Sequence, residues 1–188
     1  TAKLPPEPKP GSNIELSAYL NYRDREAKGK PGGPLDDWLD AEKSGGFARS
    51  SGRWRVERSS CHARPSPAMG MQFAKALEPY GLYFFEEPCW PETMDDIANI
   101  ARSVSTPIAT GERLCTKWEF ARVLACGAAS ILQPALGRVG GILEAKKISA
   151  MAEAHYAQMA PHLYAGPVEG AANIQLGACI PNLLILES

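Results

Sequence analysis

From about Ser60 onward the chain repeats one unit, a short apolar run that ends in a polar or charged position and is followed by a helical stretch. The ends of these runs fall at His62, Glu86, Glu112, Ala135, His162 and Glu187, at intervals of about 25 residues. Strands alternating with helices of this length predict βα units and a parallel sheet. A fixed period that lands one side chain at every strand tip predicts an α/β fold. Its form is a partial (β/α)8-type (TIM-like) barrel of about six βα units, whose chemistry gathers at the carboxyl ends of the strands. An open, doubly wound sheet is the alternative, since that class does not require a G-x-G-x-x-G turn.

Local signals set the element boundaries. Ser66-Pro67 starts a helix running to about Pro79, with serine as N-cap and proline in the first turn. Leu82–Phe85 is the first clear strand, and Met94, Ile97, Ile100 and Ala101 mark a helix over 91–103. A short strand over 107–110 ends in Gly111-Glu112, and Thr116-x-x-Glu119 is a capping box for a helix to about Cys126. Residues 129–133 are strand-like, and Gly140-Gly141 precedes a long helix from Ile142 to about Tyr156. A strand over 158–160, a helix over 167–179 and a last strand over 183–186 complete the pattern.

Residues 1–58 differ. Pro5, Pro6, Pro8, Pro10, Pro31 and Pro34 stand among many charges, a composition that offsets ordering entropy poorly. This segment is expected to be irregular and mostly outside the core, with a short helix starting near Pro34 and a Gly/Ser/Arg-rich stretch over 47–60. The domain reading is therefore an irregular segment over 1–58 and an incomplete C-terminal barrel domain over 59–188. Thr1 as first residue is taken as a sign of a piece of a longer product.

The formal net charge of -1 gives no reason to expect nucleic acid or an anionic membrane as partner. Five scattered cysteines without a C-x-x-C read as reduced thiols. No apolar run reaches the roughly 18 residues of a membrane span, and no signal peptide opens the chain. These features together give a cytoplasmic expectation.

The stretch Phe84-Phe85-Glu86-Glu87-Pro88 drives an aromatic strand into two adjacent carboxylates. If strands lie side by side, Glu86 and Glu112 converge at the mouth of the barrel, where like charges repel unless a cation or proton intervenes. Carboxylates without a Cys/His cluster suit a hard cation such as Mg²⁺. The competing reading pairs Glu86 and Glu87 with basic residues such as Arg113; repetition of the acid at the next tip favours the metal. His162 shares the register and faces the same mouth as a general base, and His62, one unit before Glu86, can serve the opposite proton transfer. His155 lies outside the register and is read as a surface residue. For Glu187, at the end of Leu-Leu-Ile-Leu-Glu, a salt bridge and a site role stand equal.

Six ordered motifs now carry a resemblance: Cys61-His62-Ala63-Arg64, Phe85-Glu86-Glu87-Pro88, residues 107–113 (Pro-Ile-Ala-Thr-Gly-Glu-Arg), Gln133-Pro134 followed by Gly140-Gly141-Ile142, Ala160-Pro161-His162, and Leu186-Glu187-Ser188. From about Ser59 to Ser188 the chain resembles the mandelate racemase/muconate lactonizing branch of the enolase superfamily, and most closely its galactonate dehydratase-like sugar-acid dehydratases. The resemblance implies a Mg²⁺-dependent hydro-lyase. It would take a small-molecule sugar acid such as galactonate to a 2-keto-3-deoxy acid, starting with removal of the proton next to the carboxylate. Glu86 and Glu112 would be metal ligands. His162 would be the base at C2, His62 the acid for the departing C3 hydroxyl, and Glu187 a hydrogen-bond partner of the substrate carboxylate. A homo-oligomer is implied in the same way.

The chain departs from the pattern at two places. Ser60 stands where the resemblance expects an aspartate ligand, and Ala135 where it expects an aspartate that orients the base histidine. The resemblance does not extend over 1–58, where Lys28-Gly29-Lys30 lacks the strand that a K-x-K base motif would need. These departures make a truncated, catalytically impaired homologue the alternative function. Racemisation or epimerisation ranks below it for want of that second base.

Overall fold

Local chemistry sets where each helix begins. The computed structural model describes residues 48–50, 53–55 and 58–186, with side chains from Ser60 onward except Tyr80. The helix expected near Pro34 and the tip residue Glu187 lie outside the described residues. Helix α1 (Pro67–Leu77) starts as expected, with the Ser66 hydroxyl accepting from the Met69 N–H and proline in the first turn. A 3-10 turn over Glu78–Tyr80 extends it to Gly81, whose φ of 64° closes the turn. Helix α2 (Met94–Ser103) buries Met94, Ile97, Ala98 and Ile100 along one stripe. Helix α3 (Lys117–Cys126) opens on the expected capping box, in which Thr116 and Glu119 satisfy each other's backbone N–H. Thr116→Ala is expected to cost about 1 kcal/mol in urea unfolding, with helical circular dichroism otherwise unchanged.

Short strands connect these helices. An antiparallel pair, β1 (Ala48–Ser50) and β2 (Arg53–Arg55), stands apart from a five-stranded sheet of β3 (Arg58–Ser60), β4 (Phe84–Glu86), β5 (Ile108–Thr110), β6 (Ile131–Leu132) and β7 (Gln158–Met159). All four pairings in the larger sheet are parallel, and the spatial order is the chain order. A doubly wound sheet reverses its order at a switch point, and this one does not. With right-handed crossovers, unreversed order puts every helix on the same side. The packing of α1 on α2, α2 on α3, α3 on α5 (Ile142–Ala154) and α5 on α6 (Pro167–Gly177) agrees with that arrangement. The fold is a partial (β/α)8-type barrel.

Alternation along the strands then fills both faces. Phe85, Ile108, Leu132 and Met159 enter the core beneath the helices. Phe84, Ala109, Ile131 and Ala160 form a second, smaller cluster on the inner face. Glu86 is two residues beyond Phe84 and so continues the inner row to the strand tip.

Two expectations need correction. Within the stretch expected to be irregular, the described residues 48–50, 53–55 and 58–60 form β1, β2 and β3. The last expected strand reduces to a single bridge between Met159 and Leu183, held by Met159 N–H to Asn182 O and Leu184 N–H to Met159 O, both 2.8 Å. That bridge supplies the sixth position of the sheet. A short helix, α4 (Leu136–Val139), precedes Gly140. Among the described residues no helix is long and apolar enough to cross a membrane.

Candidate metal and proton-transfer site

The tips of β3, β4 and β5 meet because their registers align: Ser60 pairs with Glu86, and Glu86 with Ala109. One ligand atom each from His62, Glu86 and Glu112 lies within 4.8 Å of the other two. The two carboxylates are 2% and 8% exposed, so their charges have left water. Glu112 is the centre of the cluster. Its Oε1 is 3.6 Å from His62 Nδ1 and 3.7 Å from Arg113 Nε, and its Oε2 is 3.8 Å from His162 Nδ1. Oε2 is buried and accepts no hydrogen bond. Burial pushes the Glu112 carboxyl up, but the His62 contact, the charges of His162 and His62, and a hydrogen bond with Glu86 outweigh it. They hold it below the usual carboxylate range.

The four expected site residues inside the described region, His62, Glu86, Glu112 and His162, are thus brought together. His155 is exposed at the end of α5. The adjacent acids of the FFEEP stretch separate. Glu86 joins the donor group, while Glu87 takes a φ of 48° and turns its side chain toward β5. Glu87 Oε1 accepts from the Thr110 hydroxyl and from the Gly111 N–H at 3.1 Å, and its Oε2 is 3.8 Å from Arg113 Nε. The salt-bridge reading therefore holds for Glu87. Burial pushes Glu87 up to about 7 against those hydrogen bonds, and Glu112 and Glu86 add to the rise.

The two departures also acquire a geometry. The Ser60 hydroxyl accepts from the His62 N–H at 3.2 Å, which turns it toward the backbone at the β3 tip. Ala135 is fully buried and pairs with His162 across the sheet, so a methyl group stands beside the histidine. His162 is held in other ways. Its N–H donates to Pro134 O, and its carbonyl accepts from the buried Asn173 amide, both at 3.2 Å. Its ring stacks on Tyr164 at 5.6 Å, and the Arg138 guanidinium lies 5.0 Å from the other ring's centroid. Glu169, also buried, ties α4 to the loop after β7 by accepting from Gly137 at 2.7 Å and Ala165 at 3.1 Å. Sequence reasoning missed Tyr164, Asn173 and Glu169. The last two sit in a helix whose buried face is polar, and that face was the available signal.

A model of the family described as enolase C-terminal domain-like matches residues 54–188. The chain belongs to that family. Within the enolase C-terminal domain-like family, it is 46% identical over 111 residues to the D-galactonate dehydratase of Ralstonia pickettii, an alignment covering 59% of this chain and 29% of that protein. The chain thus spans less than a third of this curated relative. Its structure is similar to that of a mandelate racemase/muconate lactonizing enzyme from Sulfitobacter, with a TM-score of 0.69 and 56% identity over 71% of this chain and 34% of the other. An enolase from Agrobacterium radiobacter, bound to Na and L-malate, matches with a TM-score of 0.68 and 35% identity, over 72% of this chain and 34% of its own.

Proposed function

We propose that this chain carries the metal-binding and proton-transfer face of a sugar-acid dehydratase, a carbon-oxygen hydro-lyase acting on an aldonate such as galactonate. The observation that carries the reading is the convergence of two buried carboxylates and two histidines from the tips of β3, β4, β5 and β7. Glu86 and Glu112 would hold a divalent cation, Mg²⁺ by preference for oxygen donors, and the buried Glu112 Oε2 without a hydrogen bond fits such a role. When bound, that cation would polarise the substrate carboxylate and acidify the neighbouring C–H.

The protein's own groups perform the proton transfers. His162, whose Nδ1 lies 3.8 Å from Glu112 Oε2, would take the proton from C2. Loss of the C3 hydroxyl with a proton from His62 completes removal of one water, and tautomerisation gives the 2-keto-3-deoxy acid. Glu187 is assigned to hydrogen-bond the substrate carboxylate. A homo-oligomer, a cytoplasmic site of action and the division at residue 58 belong to the same proposal.

A second reading has support of its own. Ser60 faces the His62 backbone and Ala135 offers His162 no acid, which fits an impaired homologue that no longer turns over substrate. The test is incubation of the purified chain with a panel of aldonic acids and Mg²⁺, with the 2-keto-3-deoxy product followed by NMR. Product from wild type and a drop of about 10²–10⁴-fold in His162→Asn is expected. An equal rate in the variant would remove His162 from the mechanism, and no product from any aldonate would leave the second reading standing.

A further inference from the structure

We infer that Glu87 is a positioning residue that fixes the spacing of His62, Glu86 and Glu112 by tying together the tips of β3, β4 and β5. The inference rests on the metal-site reading, because it concerns the donors of that site. Glu87 is 0% exposed and sits at a φ of 48°, a region that residues with side chains rarely adopt. Such a conformation persists where the surroundings over-determine it, and here the determinants can be named. The Glu87 N–H donates to Ala109 O at 3.0 Å, and its carbonyl accepts from the Ala63 N–H at 3.1 Å. Its Oε1 accepts from the Thr110 hydroxyl and the Gly111 N–H. Its Oε2 faces Arg113, whose Nη2 donates to His62 O at 2.9 Å.

Each donor is therefore one step in the chain from a contact of Glu87. Ala63 follows His62, Glu86 precedes Glu87, and Gly111 precedes Glu112. The contacts come from both backbone and side chain, so they fix position and rotation at all three tips. Partners of this kind orient ligands and govern affinity even though they never touch the metal. Regular alternation would point Glu87 to the helical side, opposite Glu86. The positive φ breaks that alternation directly after Glu86 and sends Glu87 sideways toward β5.

The test uses the full chain and compares wild type with Glu87→Ala, Glu87→Gln and Thr110→Val. Mg²⁺ affinity is measured by calorimetry, and amide hydrogen exchange by mass spectrometry without metal. Glutamine keeps an oxygen for Thr110 and Gly111, whereas alanine loses both hydrogen bonds. Glu87→Ala is expected to weaken Mg²⁺ binding about 10-fold or more, with Glu87→Gln restoring most of that loss. Exchange should rise at residues 61–63 and 109–113 and stay unchanged in the helices. Thr110→Val removes one donor to the same oxygen and should weaken binding severalfold, which keeps the test decisive if Glu87→Ala fails to fold. Unchanged affinity in Glu87→Ala and Thr110→Val, or Glu87→Gln as impaired as alanine, would overturn the inference. If wild type binds no Mg²⁺, the metal reading fails, and the exchange data alone judge the tie. Faster exchange confined to the two tips upholds it, and uniform or absent change overturns it.

Discussion

Glu112→Gln is expected to lower Mg²⁺ affinity by about 100-fold or more, with any dehydration falling in parallel; calorimetry and product NMR read the two effects. The carboxylate lies among three cationic or protonatable groups, His62, Arg113 and His162, all within 3.8 Å. The amide removes the negative charge that balances them and offers a dication a neutral oxygen. Changes to partners outside the ligand shell already cost 10–100-fold, so loss of a ligand charge belongs at or above that range. Glu86→Gln should behave alike. Lys117 and Glu144 form an ion pair on the helical side, and Glu144→Gln there should leave metal affinity unchanged. Wild-type affinity in Glu112→Gln would mean that the cluster is only a salt-bridge network.

Gly111→Ala should be strongly destabilising, at about 3 kcal/mol or more by chemical denaturation. Gly111 has a φ of 136°, and a Cβ there would stand 2.6 Å from Phe120 Cε1 and 3.0 Å from the Gln133 N. Neither neighbour can move freely: Phe120 is fully buried in the helical core, and Gln133 N–H donates to Thr110 O at 2.9 Å. Gly127 provides the internal control. It has a φ of 66° but open space around the missing Cβ, so Gly127→Ala isolates the backbone penalty at about 1 kcal/mol. A Gly111→Ala cost no larger than that of Gly127→Ala would contradict the packing argument. Because Glu112 follows directly, the variant should also weaken Mg²⁺ binding.

Features encoded within a few residues were legible in the sequence. Ser66-Pro67 and Thr116-x-x-Glu119 begin their helices where local hydrogen bonding requires, and each does so in the structure. The recurrence of polar residues at strand tips was legible for a related reason, since parallel strands in register bring their ends to one place. Pairing across the chain was harder to read. The run over 183–186 has the apolar character of a strand, yet its ladder is a single bridge, because strand length depends on what lies alongside. The different fates of Glu86 and Glu87 were equally hidden. The two residues have identical chemistry, and the positive φ of Glu87, held by backbone hydrogen bonds with Ala63 and Ala109, turns only the second acid toward β5. Ala135 shows the opposite case. Its sequence signal was plain, and the structure adds that Ala135 pairs with His162 by a parallel bridge.

The central claim is that three strand tips form a divalent-metal site. The most direct measurement is thermal unfolding of the chain and of Glu86→Gln across a Mg²⁺ titration. A ligand that binds only the native state raises stability by about 2.7 kcal/mol at a hundredfold excess over its dissociation constant. A cooperative melt that rises with Mg²⁺ in wild type and stays fixed in Glu86→Gln is the predicted result. A melt indifferent to Mg²⁺ in both, or one that rises equally in both, would contradict the account.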